Sequence, residues 1–246
     1  MNSWKKIWNG KTADSEILLN GDKRAILLEL KRSNGFDVAE GMSFEAFCAQ
    51  YEEIKKNLQK YNPIKSVYEV GCGSGANLYL FESENVFSGG LDFSSSLVQL
   101  AKQVLSTQDI LCAEAIDLPI EKKYDAVFSN SVFSYFENEE YAERVLEKML
   151  DKANYVIGLI DIHNIEKKDE FVSYRRRIIK DYDKRYANLP KLFYPKQFFE
   201  KFAGKHQLLV EFSDQDMEGY WNNQFVFSCY MYKNKFNSEW RKMSNG

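Results

Sequence analysis

Histidine is scarce in this chain of 246 residues: only His163 and His206 occur, far apart. Zinc sites need several imidazole or thiolate ligands at short spacing. The four cysteines, Cys48, Cys72, Cys112 and Cys229, are scattered and form no CxxC pair. No metal is therefore expected, and the thiols read as reduced and mostly buried, with Cys72 and Cys112 at strand ends in the core. No apolar run approaches the roughly 18 residues that span a bilayer, so no membrane partner is expected. The opening Met1-Asn2-Ser3-Trp4-Lys5-Lys6 runs into polar residues and not into the apolar core of a signal sequence. The expectation is a soluble, cytoplasmic protein. A surplus of one charge is also missing: 33 Lys and Arg stand against 36 Asp and Glu, a net charge of -3. Nothing in that balance drives the whole chain toward nucleic acid. Internal repeats and low-complexity tracts are absent as well.

What remains is globular composition, 44% hydrophobic and 28% charged, at a length that fits one domain with a small helical cap. Residues 1–62 lack convincing strands. Phe44, Phe47, Tyr51, Ile54 and Leu58 recur every three or four positions behind Ser43, which predicts a capped amphipathic helix. Asn62-Pro63 ends the helical stretch, because the residue before proline is pushed out of the α region. From there short apolar runs alternate with helical patterns. Strands are predicted at Val67–Val70, Val86–Leu91, Ile110–Cys112, Ala126–Ser129 and Tyr155–Ile160, and helices at about 76–82, 95–106 and 138–150. This rhythm predicts a parallel α/β sheet with helices on both faces, the third connection (113–123) being a loop or short helix. Gln207–Phe212 and Gln224–Tyr232 are joined without room for a crossover helix and should pair antiparallel. A charged helix containing Arg175-Arg176-Arg177 is predicted between Ile165 and Lys184, and the tail over 235–246 reads as polar and frayed.

Residues 67–75 read Val-Tyr-Glu-Val-Gly-Cys-Gly-Ser-Gly between a strand and a helix. Gly71, Gly73 and Gly75 permit a tight turn and a close approach of ligand to backbone, and Glu69 precedes them by two residues. This segment resembles motif I of the class I S-adenosylmethionine-dependent methyltransferases, an acidic residue followed by G-x-G-x-G. The resemblance extends over about 63–232 through Gly90-Leu91-Asp92-Phe93-Ser94, Ala113-Glu114-Ala115-Ile116-Asp117-Leu118-Pro119 and Tyr124–Asn130. It implies a Rossmann-like seven-stranded sheet of order 3-2-1-4-5-7-6 with strand 7 antiparallel. The implied divisions are an N-terminal helical cap or lid at 1–62, a methyltransferase domain at 63–234 and a helical insert at 165–190 near the acceptor. The implied cofactor is S-adenosyl-L-methionine, with S-adenosyl-L-homocysteine as product. Glu69, Gly71, Cys72, Gly73 and Gly75 would form its cradle, and Asp92, followed by Phe93, would accept from the ribose hydroxyls. Glu114, or alternatively Asp117, would meet the adenine amino group with the Ala115 amide facing the ring, and Asn130 would touch the methionine part. An NAD site would want G-x-G-x-x-G, and position 76 is Ala; a phosphate loop would need Gly-Lys-Ser/Thr.

For the acceptor, Asn130 is followed by Ser131-Val132-Phe133 and not by the Pro-Pro-aromatic run of nucleic-acid amino methylation, and no cysteine nucleophile lies there. The Arg175 run, among Lys180, Asp181, Asp183, Lys184 and Arg185, reads as a solvated mixed-charge face. The expected partner is a small molecule methylated on oxygen or nitrogen. An RNA methyltransferase using the 175–185 helix and a non-catalytic cofactor-binding partner protein are the alternatives. Phe133, Tyr135, Phe136, Tyr194, Tyr220 and Trp221 are candidate pocket aromatics, with Trp4, Trp8 and Tyr51 from the cap. His163, leaving the carboxyl end of strand five, is the candidate general base, and Tyr135 is its companion as a phenol or an orienting wall. His206 reads as structural.

Overall fold

The computed structural model describes residues 3–36 and 42–233; the tail over 235–246 lies outside the described residues. Helices α1 (Ser3–Asn9), α2 (Ser15–Asn20), α3 (Lys23–Ser33) and α4 (Phe44–Leu58) precede the first strand. Three of them start on side chains that satisfy the open amides of the first turn. Asp14 accepts from Glu16 N, Asp22 from Ala25 N at 2.8 Å, and Ser43 from Ala46 N at 3.0 Å, each cap worth about 1 kcal/mol. The stripe on α4 is buried as its spacing predicts.

The seven strands are β1 (Ser66–Val70), β2 (Phe87–Asp92), β3 (Ile110–Cys112), β4 (Tyr124–Asn130), β5 (Ala153–His163), β6 (Leu208–Asp214) and β7 (Val226–Lys233). They form one sheet in the order β3-β2-β1-β4-β5-β7-β6, parallel except for the antiparallel β5–β7 and β6–β7 pairs. Helices α5 (Ala76–Ser83) and α6 (Ser95–Val104) cover one face together with α4, and α7 (Glu139–Lys152) and α10 (Lys196–His206) cover the other. Strand alternation divides the core accordingly. Val67, Phe128 and Val156 face the first layer, and Tyr68, Val127 and Ile157 face the second. Leu18, Leu27, Leu30 and Phe47 belong to the first core, so the described N-terminal helices are packed onto the sheet and share its interior. No helix among the described residues is long and apolar enough to cross a membrane.

Two expectations need correction. The predicted 165–184 helix is broken into α8 (Lys168–Ile178) and α9 (Tyr182–Tyr186). Ile179 takes an extended conformation (φ -114°, ψ 117°) and Asp181 the left-handed one (φ 56°), which no continuous helix accommodates. Cys112 is exposed rather than buried, because β3 is the edge strand and only its first residue, Ile110, turns into the core.

Candidate active site

A cavity of about 840 Å³ opens above the carboxyl ends of the parallel strands, where an open α/β sheet binds its ligands. The turn after β1 forms its floor. Gly71 and Gly73 have φ of +77° and +55°, in the region that favours glycine. A Cβ on Gly71 would stand 2.3 Å from Val132 Cγ2, and one on Gly73 would stand 2.4 Å from Asn34 Oδ1. Asn34, just past α3, also accepts from Ser74 N at 2.8 Å, so the N-terminal helices dock directly on the glycine turn. Gly75 does not line the cavity, which corrects its expected contact role. It caps α5 at φ 83°, where a Cβ would meet Leu105 Cδ1 at 2.8 Å. Cys72 and Phe93 line the cavity.

Asp92 is buried at the end of β2, and its two oxygens accept from Gly73 N (2.9 Å) and Ser94 N (2.8 Å). Burial raises its carboxyl above the ordinary range against the pull of those two amides. Glu69, at the end portion of β1, is 2% exposed. Its Oε1 accepts from Asn77 Nδ2 at 2.6 Å, and Asn77 Oδ1 in turn accepts from Lys31 Nζ at 2.9 Å. Burial pushes the Glu69 carboxyl up and the Lys31 ammonium down, since both lose solvation and reach each other only through the amide. Glu69 Oε2 has no hydrogen-bond partner, although its residue lines the cavity. An unpartnered buried carboxyl oxygen is costly unless the group is protonated or a donor meets it. Sequence reading had missed Lys31. The signal was a lysine on the apolar face of α3, four residues after Leu27.

Beyond β3, Glu114 and Ala115 line the cavity, whereas Asp117, left open by sequence reading, is exposed and outside it. Glu114 is ion-paired with Lys5 of α1. The same helix is tied down by its Trp8 carbonyl, which accepts from Ser94 Oγ (3.1 Å) and Ser96 Oγ (3.2 Å). Trp4 Nε1 donates to the Pro190 carbonyl at 3.1 Å, and both tryptophans pack edge-on to Tyr135. Helix α1 therefore crosses the cavity from the Glu114 side to the Pro190 side.

At the carboxyl ends of β4 and β5 the chain holds two non-glycine residues in the left-handed region, Ser131 (φ 62°) and Asp161 (φ 61°). Such strain is retained where the surroundings over-determine it, commonly at functional sites. Ser131 Oγ donates to Asp161 Oδ2, which also accepts from Tyr220 Oη at 2.9 Å; Asp161 Oδ1 accepts from Asn222 Nδ2 at 3.3 Å. Asn130 lines the cavity beside them. Asp161 was not singled out from sequence. The available signal was an acidic residue between Ile160 and Ile162 in an otherwise apolar strand.

His163 does not line the cavity. A shift of register between Leu159 and Ile162 inserts Asp161 into the β5 ladder and re-aims the residues after it. His163 is 1% exposed, with its ring 5.0 Å from both Phe171 and Phe193 and its Nε2 3.3 Å from Asn222 Nδ2. Burial, and secondarily the charges of Lys191 and Arg175, hold its pKa well below the ordinary value. The general-base assignment to His163 is therefore corrected: a neutral histidine enclosed by phenylalanines glues the insert to β5. Its depressed pKa has a sign. Below about pH 6.5 the unfolded chain binds a proton that the folded chain refuses, so this residue removes stability as pH falls, by up to about 1.4 kcal/mol per pH unit. His163→Gln is expected to flatten the fall in denaturant midpoint between pH 7 and pH 5. An unaltered pH dependence in the variant would show that the ring is not buried in its neutral form.

Tyr135 lines the cavity, and burial followed by the nearby Asp161 charge raises its phenol pKa, so it keeps its proton. The arginine run divides. Arg176 pairs with Asp183 and Arg177 lies over the Tyr174 ring, but Arg175 turns into the cavity, which corrects the expected uniformly solvated face. His206 contacts Glu147 and the Phe202 ring on α10, as a structural residue would.

The sheet order, the glycine turn and the acidic residues at or just past the ends of β1, β2 and β3 define the Rossmann-like fold of the class I methyltransferases. Residues 68–154 match the family model described as "Methyltransferase domain". A curated malonyl-[acyl-carrier protein] O-methyltransferase of Priestia megaterium is 28% identical over 102 residues, 39% of this chain. That match spans only 37% of the relative's own length. Among solved structures, the plantazolicin methyltransferase BpumL in complex with a triazolic desmethylPZN analog and SAH superposes with a TM-score of 0.59 at 17% identity, covering 96% of this chain and 100% of that one. The SAH-bound magnesium protoporphyrin IX methyltransferase of Synechocystis PCC 6803 gives a TM-score of 0.58 at 13% identity, covering 78% and 85%. At such identities the likeness is one of fold.

Proposed function

We propose that this chain is a cytoplasmic enzyme that transfers a methyl group from S-adenosylmethionine to an oxygen or nitrogen of a small-molecule acceptor. The observation that carries this reading is the buried Glu69 carboxyl group, which lines the same cavity as the glycine turn and Asp92 and has one oxygen without a hydrogen-bond partner. That set of donors and acceptors suits a ligand with an ammonium group at one end and a ribose at the other. Glu69 would take the ammonium, Asp92 the ribose hydroxyls, and Glu114 with the Ala115 amide the adenine edge. Gly71, Cys72 and Gly73 would supply the closely approached backbone, with Phe93 and Asn130 completing the walls. When bound, the cofactor supplies a methyl group on a sulfonium, already a good leaving group.

The chain's own task is then alignment and proton removal. Tyr135, Tyr220 and the tryptophans of α1 would confine the acceptor and exclude water, a contribution of several kcal/mol through orientation. Asp161, held by Ser131, Tyr220 and Asn222, would accept the proton of a neutral or ammonium acceptor at Oδ1 or Oδ2.

Calorimetry with S-adenosylmethionine, and release of S-adenosylhomocysteine from protein mixed with a metabolite extract, test the reading. Asp92→Ala should lower cofactor affinity by roughly 2–3 kcal/mol, about 30- to 150-fold, through loss of charge-assisted bonds. It should also lower the melting temperature of the ligand-free protein, because Gly73 N and Ser94 N both lose their acceptor. Unchanged affinity in this variant would sink the cofactor assignment, and cofactor binding without product release would leave a binding protein and no enzyme.

A further inference from the structure

We propose that the acceptor is a planar molecule bearing a carboxylate, and that Arg175 and Lys191 together bind that carboxylate on the insert side of the cavity. This rests on the methyltransferase reading above and narrows its substrate class. Both residues line the cavity, and neither takes part in any ion pair among the described residues. The Arg175 guanidinium lies over the Trp221 ring at 4.6 Å and donates from Nη2 to Tyr186 Oη at 3.2 Å. Its Nε is buried with no partner. Lys191 Nζ sits 4.8 Å over the Tyr135 ring, and desolvation pulls its pKa down to about 8.

Two partly buried cations sharing one space, with Asp161 acting on Lys191 only beyond ion-pair distance, are costly, and an anion entering that space relieves both. The nearby carboxylate, Asp161, already accepts from three neutral donors and is not within ion-pair distance of either cation. A guanidinium lying over an indole still offers N–H groups that can meet a planar carboxylate through two parallel bonds. The aromatic residues lining that side of the cavity, Tyr135, Tyr220 and Trp221, favour a flat body beside that carboxylate. The cofactor's own carboxylate has a different cation available, Lys31, wired to Glu69 beside the glycine turn.

The test uses the full chain saturated with S-adenosylhomocysteine, titrated with benzoate, benzamide and inorganic phosphate and followed by calorimetry and tryptophan fluorescence. Benzoate should bind at least ~10-fold more tightly than its neutral isostere benzamide, and Arg175→Gln should erase that difference without changing affinity for S-adenosylhomocysteine. Arg175→Lys, which keeps the charge and loses the fork, should restore part of it. Equal binding of benzoate and benzamide would overturn the proposal. So would phosphate binding as tightly as benzoate, which points to a phosphorylated acceptor, or loss of S-adenosylhomocysteine affinity in Arg175→Gln, which assigns the cation to the cofactor. If S-adenosylhomocysteine fails to bind while benzoate still outcompetes benzamide in the unliganded chain, the methyltransferase reading falls and the carboxylate site stands.

Discussion

Asp161→Asn is expected to lower kcat by ~10²–10⁴-fold while affinity for S-adenosylmethionine stays within about threefold, because the change removes a proton acceptor without removing a contact of the glycine turn. Asparagine is the informative substitution for a conformational reason. Position 161 has φ 61°, and Asn tolerates the left-handed region nearly as well as Asp, so the backbone has no cause to move. The amide can still accept from Tyr220 Oη through its oxygen. Alanine at the same position confounds two effects, since it loses the hydrogen bonds and strains the backbone. A base role predicts that both variants are crippled. A purely orienting role predicts that Asn retains most of the rate and Ala does not. A near-normal kcat in Asp161→Asn would therefore remove the proton-accepting step and leave alignment as the source of catalysis. His163→Gln offers a second readout: it should leave kcat within about threefold, because His163 lies behind Asn222 and outside the cavity.

The contrast between these two residues shows where the sequence was legible and where it was not. Strand positions follow from short-range patterns, and β3 was located to its terminal residues, Ile110 and Cys112, by three apolar positions between polar segments. The gathering of the glycine turn, Asp92 and Glu114 around one cavity is readable because it depends on strand ends, and strand ends are local features. A β-bulge is not. Its place at the carboxyl end of strand five makes His163 a candidate for the cavity, and the single extra residue in β5 ahead of it turns it away. Arg175 was hidden for a related reason. Within α8 it is one of three consecutive arginines, indistinguishable by composition from Arg176 and Arg177. What separates it is Trp221, 46 positions later in the chain, whose ring covers its guanidinium. The Lys31–Asn77–Glu69 relay likewise joins residues from three elements, α3, α5 and β1, that no local periodicity links. Local pattern thus located the half of the cavity built from successive strand ends. The half built from the insert, the β6–β7 loop and α1 required the fold itself.

Removing α1, by deleting residues 1–12, is expected to reduce kcat by at least ~10²-fold with a much smaller loss of cofactor affinity, and to leave the sheet folded. The asymmetry follows from what the helix touches. Trp4 and Trp8 pack on Tyr135, and Trp4 reaches the Pro190 carbonyl, so on the acceptor side the helix is a wall. On the cofactor side it contributes Lys5, an exposed ion pair to Glu114, and backbone contacts to Ser94 and Ser96. Exposed ion pairs are worth about 0–1 kcal/mol, so losing this one changes cofactor binding little and leaves Glu114 free for the ligand. The buried residues of the first core begin with Leu18 on α2, beyond the deletion, and Trp4 is buried without belonging to that core. The fold should accordingly survive with its cooperative unfolding intact. Water entering an opened site would weaken every polar contact that aligns the acceptor, which is why turnover suffers more than binding. Trp4→Ala combined with Trp8→Ala keeps the helix backbone and its bonds to Ser94 and Ser96 while removing the wall, and it should reproduce most of the loss in kcat. Full turnover in both variants would reduce α1 to surface packing. An equal loss in kcat and in cofactor affinity would make it part of the cofactor site instead.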